Sequence, residues 1–166
     1  MIQKKICLMG AYAVGKTSLV ARFVHSVFSE KYHTTLGVKI DKKVVITGRG
    51  EVKLMIWDLA GEDDFIGAEL DYMRGAAGYI LVADGTRLAS LERAVVLRER
   101  ICERIGPVPF LLLINKADLE SEWEVEPRNL AELSSAGWRI LRTSAKTGQG
   151  VEAAFLSLAA SLLPAP

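Results

Sequence analysis

The sequence is poor in cysteine: Cys7 and Cys102 are its two thiols. That excludes a disulfide framework and a cysteine-rich zinc site, and it fits a reducing, cytoplasmic setting. An excess of either charge is also missing. Twenty-one basic and 20 acidic residues leave a net charge of +1, with no basic footprint for nucleic acid. The densest basic stretch, residues 39–43, is interrupted by Asp41 and reads as the solvated face of a strand. Arg98, Arg100 and Arg104 alternate with Glu99 and Glu103, as on an exposed helix face. No apolar run approaches the roughly 20 residues a membrane span needs. The first residues, Met1-Ile2-Gln3-Lys4-Lys5, lack the features of a signal peptide, and Ile2 stands where myristoylation needs glycine. The last five residues hold no cysteine for prenylation, so the chain is expected to carry no membrane anchor of its own. Linkers, repeats and low-complexity segments are absent, which points to one domain over residues 1–166.

What is present is an alternation of strand and helix patterns, the signature of an α/β sheet with helices on both faces. Strands are expected at 4–9, 38–47, 51–58, 79–83, 110–114 and 138–142, and helices at 16–27, 65–74, 88–105, 127–135 and 151–163. Gly48-Arg49-Gly50 demands a hairpin between the second and third strands, so one of them runs antiparallel to its neighbours. The uniformly apolar run at 110–114 suits a central parallel strand buried on both faces. In the last helix Val151, Phe155, Leu158 and Leu162 form a core-facing stripe. Cys7, inside the first strand, is expected to be a buried structural thiol.

Residues 10–17 read Gly10-Ala11-Tyr12-Ala13-Val14-Gly15-Lys16-Thr17, the G-x-x-x-x-G-K-[ST] pattern. An apolar strand leads in and a helix follows. Backbone N–H groups of such a loop point inward above the positive end of the helix dipole, which makes an anion site. Lys16 can reach the β- and γ-phosphates of a nucleotide, and the Thr17 hydroxyl can ligate Mg²⁺. Downstream, Asp58 ends an apolar strand in Trp57-Asp58-Leu59-Ala60-Gly61. There it is placed to hold Mg²⁺ through water, and the Gly61 N–H could approach the γ-phosphate. Thr35, in the loop before the second strand, could offer its hydroxyl to the metal and its N–H to the γ-phosphate, but only with a triphosphate bound.

Asn115-Lys116-Ala117-Asp118 follows the most buried strand. The Asp118 carboxylate can accept from guanine N1–H and N2–H₂ together, whereas adenine would turn an acceptor toward it. The Lys116 stem can lie along a base plane, and Asn115 can tie this loop to the phosphate loop. Thr143-Ser144-Ala145-Lys146 follows the last strand, and the Ala145 N–H could bond guanine O6.

With these elements in order, the chain resembles the small Ras-like GTPases, and among them the Rab branch most. The resemblance spans essentially the whole chain. Tyr72-Met73-Arg74-Gly75-Ala76 resembles the tail of the Rab second switch, and Phe28 falls where the family often sets an aromatic against the guanine edge. It implies a P-loop fold with a six-stranded, mainly parallel sheet, one antiparallel strand and five flanking helices. It implies GTP and GDP as ligands, Mg²⁺ as cofactor, slow hydrolysis, and effector, exchange-factor and GTPase-activating partners. The nucleotide contacts implied are Ala13, Val14, Gly15, Lys16, Thr17, Ser18, Phe28, Thr35, Asn115, Lys116, Asp118, Ser144, Ala145 and Lys146. Thr17, Thr35 and Asp58 are the implied metal site, and Lys16, Thr35, Gly61 and Glu62 the catalytic group.

Three departures from the family stand out. Glu62 occupies the position of the glutamine that orients the attacking water. Beside an anionic phosphate, a carboxylate there either accepts a hydrogen bond from that water, acts as a base if its pKa is raised, or suppresses turnover, which would leave a GTP-binding module with negligible hydrolysis. Tyr12 and Ala13 replace small residues near the γ-phosphate: the Tyr12 ring either covers the phosphate or obstructs a partner's arginine, or else stands in solvent with no role. The usual lipidated C-terminal cysteine is missing. A P-loop ATPase or kinase is a third reading, and it requires Asp118 to be irrelevant to the base.

Overall fold

A computed structural model describes residues 1–30, 37–59 and 70–165 of the chain. Within them, β1 (Gln3–Gly10) leads into α1 (Lys16–His25). The hairpin β2 (Val38–Thr47) and β3 (Gly50–Leu59) follows, then β4 (Gly78–Asp84), α2 (Leu88–Ile105), β5 (Phe110–Asn115), a 3₁₀ helix (Ala117–Glu122), α3 (Pro127–Ser135), β6 (Ile140–Arg142) and α4 (Val151–Ser161). The strands form one six-stranded sheet in the order β2-β3-β1-β4-β5-β6. β2 pairs antiparallel with β3, and every other pairing is parallel. The sequence-based architecture therefore stands. The expected helix at 65–74 falls largely outside the described residues; of its described part, Leu70 and Asp71 are helical and residues 72–75 form a turn.

Residue alternation along the strands sorts the core into two layers. Ile6 and Leu8 of β1, Leu54 and Ile56 of β3, and Leu111 and Leu113 of β5 face α1 and α4. Cys7 and Met9, Tyr79 and Leu81, Leu112 and Ile114 face the other way, toward Leu91, Ala94, Leu97 and Ile101 of α2. Successive side chains on opposite faces of buried parallel strands explain the near-continuous apolar runs in β1, β4 and β5. Phe23 of α1 stacks on Phe155 of α4 with centroids 4.1 Å apart. Cys7 is fully buried, and burial pushes its thiol up to about 12, so it stays protonated and unreactive.

Element ends differ from the sequence reading where local chemistry intervenes. α1 stops at His25, two residues short of the expected end. Ser26 turns left-handed (φ 56°), and its N–H closes on the Arg22 carbonyl at 3.0 Å. Arg98 is not a plain member of an exposed face: its guanidinium lies 4.6 Å from the Phe110 ring centroid. The hairpin register, Thr47 opposite Gly50, leaves Gly48 and Arg49 as the turn, with Gly50 at φ 122°. No helix among the described residues is long and apolar enough to cross a membrane.

The parallel strands β1, β3, β4 and β5 end on one side of the sheet. Leu8 lies beside Asp58, Gly10 beside Val82, and Asp84 beside Asn115. From β1 the chain runs to the β2–β3 edge and from β3 it crosses to β4 on the other side of β1, so a crevice forms above β1 and β4, where open α/β sheets bind ligands. Close packing there forbids a side chain at Gly10: an added Cβ would lie 2.4 Å from the Val82 carbonyl oxygen, whereas Gly48 has nothing within 4 Å. Gly10→Ala is accordingly expected to destabilise the fold by about 2 kcal/mol. Gly48→Ala should stay within about 0.5 kcal/mol of wild type. Paired urea unfolding curves check both.

Candidate functional site

The loop from Gly10 to Gly15 joins β1 to α1 across the crevice. Gly15 has φ 103°, and the non-glycine Ala13 is held at φ 62°, a left-handed conformation that needs outside support. The support comes from two other segments, the loops after β5 and β4. Asn115 Nδ2 donates to the Val14 carbonyl at 3.0 Å, and Lys116 Nζ donates to the Ala13 carbonyl at 3.1 Å. An Arg87 guanidinium nitrogen donates to the Tyr12 carbonyl. A Cβ at Gly15 would sit 2.3 Å from Asn115 Nδ2, so the glycine is the condition for that tie. Lys16 is 6 % exposed and arches back over the loop, its Nζ donating to the Gly10 and Ala11 carbonyls at 3.1 and 3.3 Å. Ser18 lies in the first turn of α1. Tyr12 is 46 % exposed.

Thr17 and Asp58, 41 residues apart, meet here: the Thr17 hydroxyl donates to Asp58 Oδ2 at 2.6 Å, and Asp58 is fully buried. A hydroxyl and a carboxylate side by side are hard oxygen donors, the set Mg²⁺ takes beside phosphates. Thr35, Gly61 and Glu62 lie outside the described residues. Of the expected metal and catalytic groups, the structure thus brings together Lys16, Thr17 and Asp58.

The two loops expected to read a base also converge. Asn115 is 2 % exposed, and its Oδ1 accepts from the Thr143 hydroxyl at 3.1 Å. The Asp118 carboxylate accepts from the Ser144 hydroxyl at 2.7 Å, and the Ala117 N–H donates to the Thr143 carbonyl at 2.9 Å. The Ser144 oxygen also accepts from the Thr147 N–H, closing the turn that leads to α4. Lys146 pairs with Glu30 at 3.0 Å, and hydrogen bonding to that carboxylate raises its ammonium above the ordinary lysine range. Phe28, half-buried, packs against the α1–α4 core layer.

Sequence reasoning missed the residues that bind these loops to one another. Arg22 of α1 donates from Nε to the Ala145 carbonyl at 2.8 Å and from a guanidinium nitrogen to the Lys146 carbonyl. Asp84, 1 % exposed at the end of β4, is the common anchor. Its Oδ1 accepts from the Thr86 N–H and hydroxyl at 2.8 and 2.7 Å. Its Oδ2 accepts from Lys116 Nζ at 2.7 Å and Arg87 Nε at 3.2 Å. Asp84 carries the signal that singled out Asp58, a carboxylate ending an apolar strand, and could have been found by it. Arg22 and Arg87 carry no comparable signal.

Burial pushes the Asp84 carboxyl up, but the hydrogen bonds from Lys116 and Thr86 outweigh it and hold the group below the ordinary carboxylate range. A depressed folded-state value contributes stability above the unfolded value, near 4, and that contribution is lost as pH falls through the folded one. Asp84→Asn is therefore expected to cost about 2 kcal/mol at neutral pH, since both orphaned cations can partly rehydrate. The gap to wild type should narrow below about pH 4, which chemical unfolding across that range measures.

Comparison with known proteins agrees with this geometry. Residues 5–163 match the Ras family. The human Ras-related protein Rab-7b is 35% identical, covering 98% of this chain and 83% of its own. The dog Ras-related protein Rab-13 is 37% identical over 96% of this chain and 79% of its own. Rab-4 of Dictyostelium discoideum is 34% identical over 96% and 78%. A glycine loop clamped onto two further loops above one sheet edge, and likeness to Rab proteins along nearly its whole length, lead to one conclusion: this chain belongs to the Ras family, as a Rab-type small GTP-binding protein.

Proposed function

We propose that residues 1–166 form a single guanine-nucleotide switch domain that binds GTP and GDP with Mg²⁺ and slowly hydrolyses GTP in the cytoplasm. The observation that carries this is the clamp between the loop after β5 and the phosphate loop. Asn115 and Lys116, beside the base-reading Asp118, hold the carbonyls of Val14 and Ala13 in the phosphate loop. A nucleotide laid across the crevice would thus be gripped at base and phosphates by parts already joined.

In this reading Asp118 accepts from guanine N1–H and N2–H₂, the Ala145 N–H donates to O6, and Ser144 fixes the Asp118 carboxylate. Phe28 and the stems of Lys116 and Lys146 border the base. Amides of Ala13, Val14, Gly15, Lys16, Thr17 and Ser18 surround the phosphates, and Lys16 leaves the loop carbonyls for the β- and γ-phosphates. Thr17, Asp58 and, in the triphosphate state, Thr35 would hold Mg²⁺, which when bound offsets charge on the phosphate oxygens. Gly61 offers its N–H to the γ-phosphate, and Glu62 orients the water that attacks in line. Thr35 and Gly61 make these contacts only with a third phosphate, so effector, exchange-factor and GTPase-activating partners would read nucleotide state there.

The ligand itself is checked by identifying nucleotide that co-purifies with the protein. Asp118→Asn should weaken GDP by about two orders of magnitude, the worth of a paired, charge-assisted contact. The same change should create affinity for xanthine nucleotide, whose 2-oxo group accepts from the new amide. Calorimetry with GDP, XDP and ADP decides this, and retention of ADP by the variant would favour an ATPase. Because Glu62 replaces glutamine, a GTP-binding module with negligible hydrolysis is the second reading. Single-turnover assays with Mg²⁺ separate the two: a switch forms GDP as wild type, whereas the module forms none over many hours and gains turnover in Glu62→Gln.

A further inference from the structure

Trp123 stands directly after the 3₁₀ helix that Asp118 helps to open. Its indole Nε1–H donates to the Lys116 carbonyl at 2.9 Å. Lys116 itself is left-handed (φ 75°), an uncommon conformation for a residue with a side chain. Its carbonyl also accepts from the Leu119 N–H at 2.8 Å, so both lone pairs are engaged.

The indole packs directly against Gly85, the residue after the Asp84 anchor. An added Cβ at Gly85 would come within 2.1 Å of Trp123 Cε2 and 2.5 Å of Nε1, so a side chain there would displace the ring. Gly85 is in turn tied on both sides. Its N–H donates to the Asn115 carbonyl at 3.0 Å, and its own carbonyl accepts from the Glu124 and Val125 N–H groups at 2.9 and 3.0 Å. On the ring, the Arg142 guanidinium sits 4.6 Å from the centroid and pairs with Glu120 at 2.7 Å. Trp123 is therefore held by Gly85 just after β4, the 3₁₀ helix and β6, and it delivers one directed hydrogen bond to the Lys116 carbonyl, one residue past Asn115 and two before Asp118.

We propose that Trp123, seated on Gly85, is a positioning residue for base recognition: by holding the Lys116 carbonyl it orients the Asn115–Asp118 loop toward guanine. The proposal rests on the guanine-nucleotide reading above. Its physical content is that fixing a left-handed peptide in advance spares the ligand that ordering cost on binding. Trp123 touches no nucleotide in this scheme, and it acts through Lys116 and Asp118.

The test compares Trp123→Phe, which keeps a ring on Gly85 and loses the N–H, with Gly85→Ala. Release of a fluorescent GDP analogue is timed by displacement, and affinities for GDP and IDP are measured by calorimetry. IDP lacks the 2-amino group that Asp118 would accept from, so the GDP-to-IDP affinity ratio reports loop orientation rather than general stability. Trp123→Phe is expected to release GDP about tenfold faster, the worth of one buried hydrogen bond, and to lower the GDP-to-IDP ratio several-fold. Gly85→Ala, which evicts the ring, should do the same in an unaltered Trp123 background. A lower melting temperature with wild-type release rate and ratio in both variants would make Trp123 a packing residue only and overturn the proposal. If the wild-type protein bound no guanine nucleotide, the function itself would fail, and that result is read before any variant is made.

Discussion

The Asp84 carboxylate is the point on which the crevice depends. It is buried at the end of a strand and accepts four hydrogen bonds, two from Thr86 and one each from Lys116 and Arg87. A buried charge is costly unless it is paired and saturated. Here the pairing does more than offset that cost. Each of the two cations that neutralise Asp84 also reaches a carbonyl of the phosphate loop, Lys116 at Ala13 and Arg87 at Tyr12. One carboxylate thereby connects the loop after β1 to those after β4 and β5. The left-handed Ala13 and Lys116 sit inside this lattice, where surrounding bonds over-determine their conformations.

Connection of this kind suits a protein whose ligand spans two subsites. Phosphates and base would otherwise be held by loops that move independently, and the ligand would have to order both. Asn115 to Val14, Lys116 to Ala13, and Arg22 to Ala145 and Lys146 couple those loops beforehand. Trp123 extends the same logic one layer outward, from the carbonyl of Lys116 to the backbone of Gly85. Thr17 and Asp58 form the remaining corner, joining the start of α1 to the end of β3.

The architecture was largely legible beforehand because it rests on periodicities and local turn chemistry. The apolar strand before the phosphate loop, the glycine turn at 48–50, the uniformly apolar run at 110–114 and the stripe of the last helix each act over a few residues. The hairpin, the antiparallel pair and the sheet class follow from them. Where the reading slipped, a contact with no periodic signal decided: Ser26 ended α1 by turning left-handed onto the Arg22 carbonyl, and Arg98 left the solvated face of α2 for the Phe110 ring. The site was legible to the extent that its residues lie in contiguous motifs. Lys16, Thr17, Asp58, Asn115 and Asp118 could be named because strand, loop and helix patterns around each say where it must stand.

The sequence by itself determined the order of elements, the two-faced burial of the sheet and the identity of the loops at its ligand edge, since these depend on local preference and on which face of each strand is apolar. Only the tertiary structure decided how those loops are joined. Asp84, Arg87, Arg22, Gly85 and Trp123 contact partners at separations from a few residues to more than a hundred, through single hydrogen bonds that leave no periodic trace in the chain. A motif records what a loop presents to its ligand. What holds that loop in place depends on side chains that meet only once the sheet has been assembled.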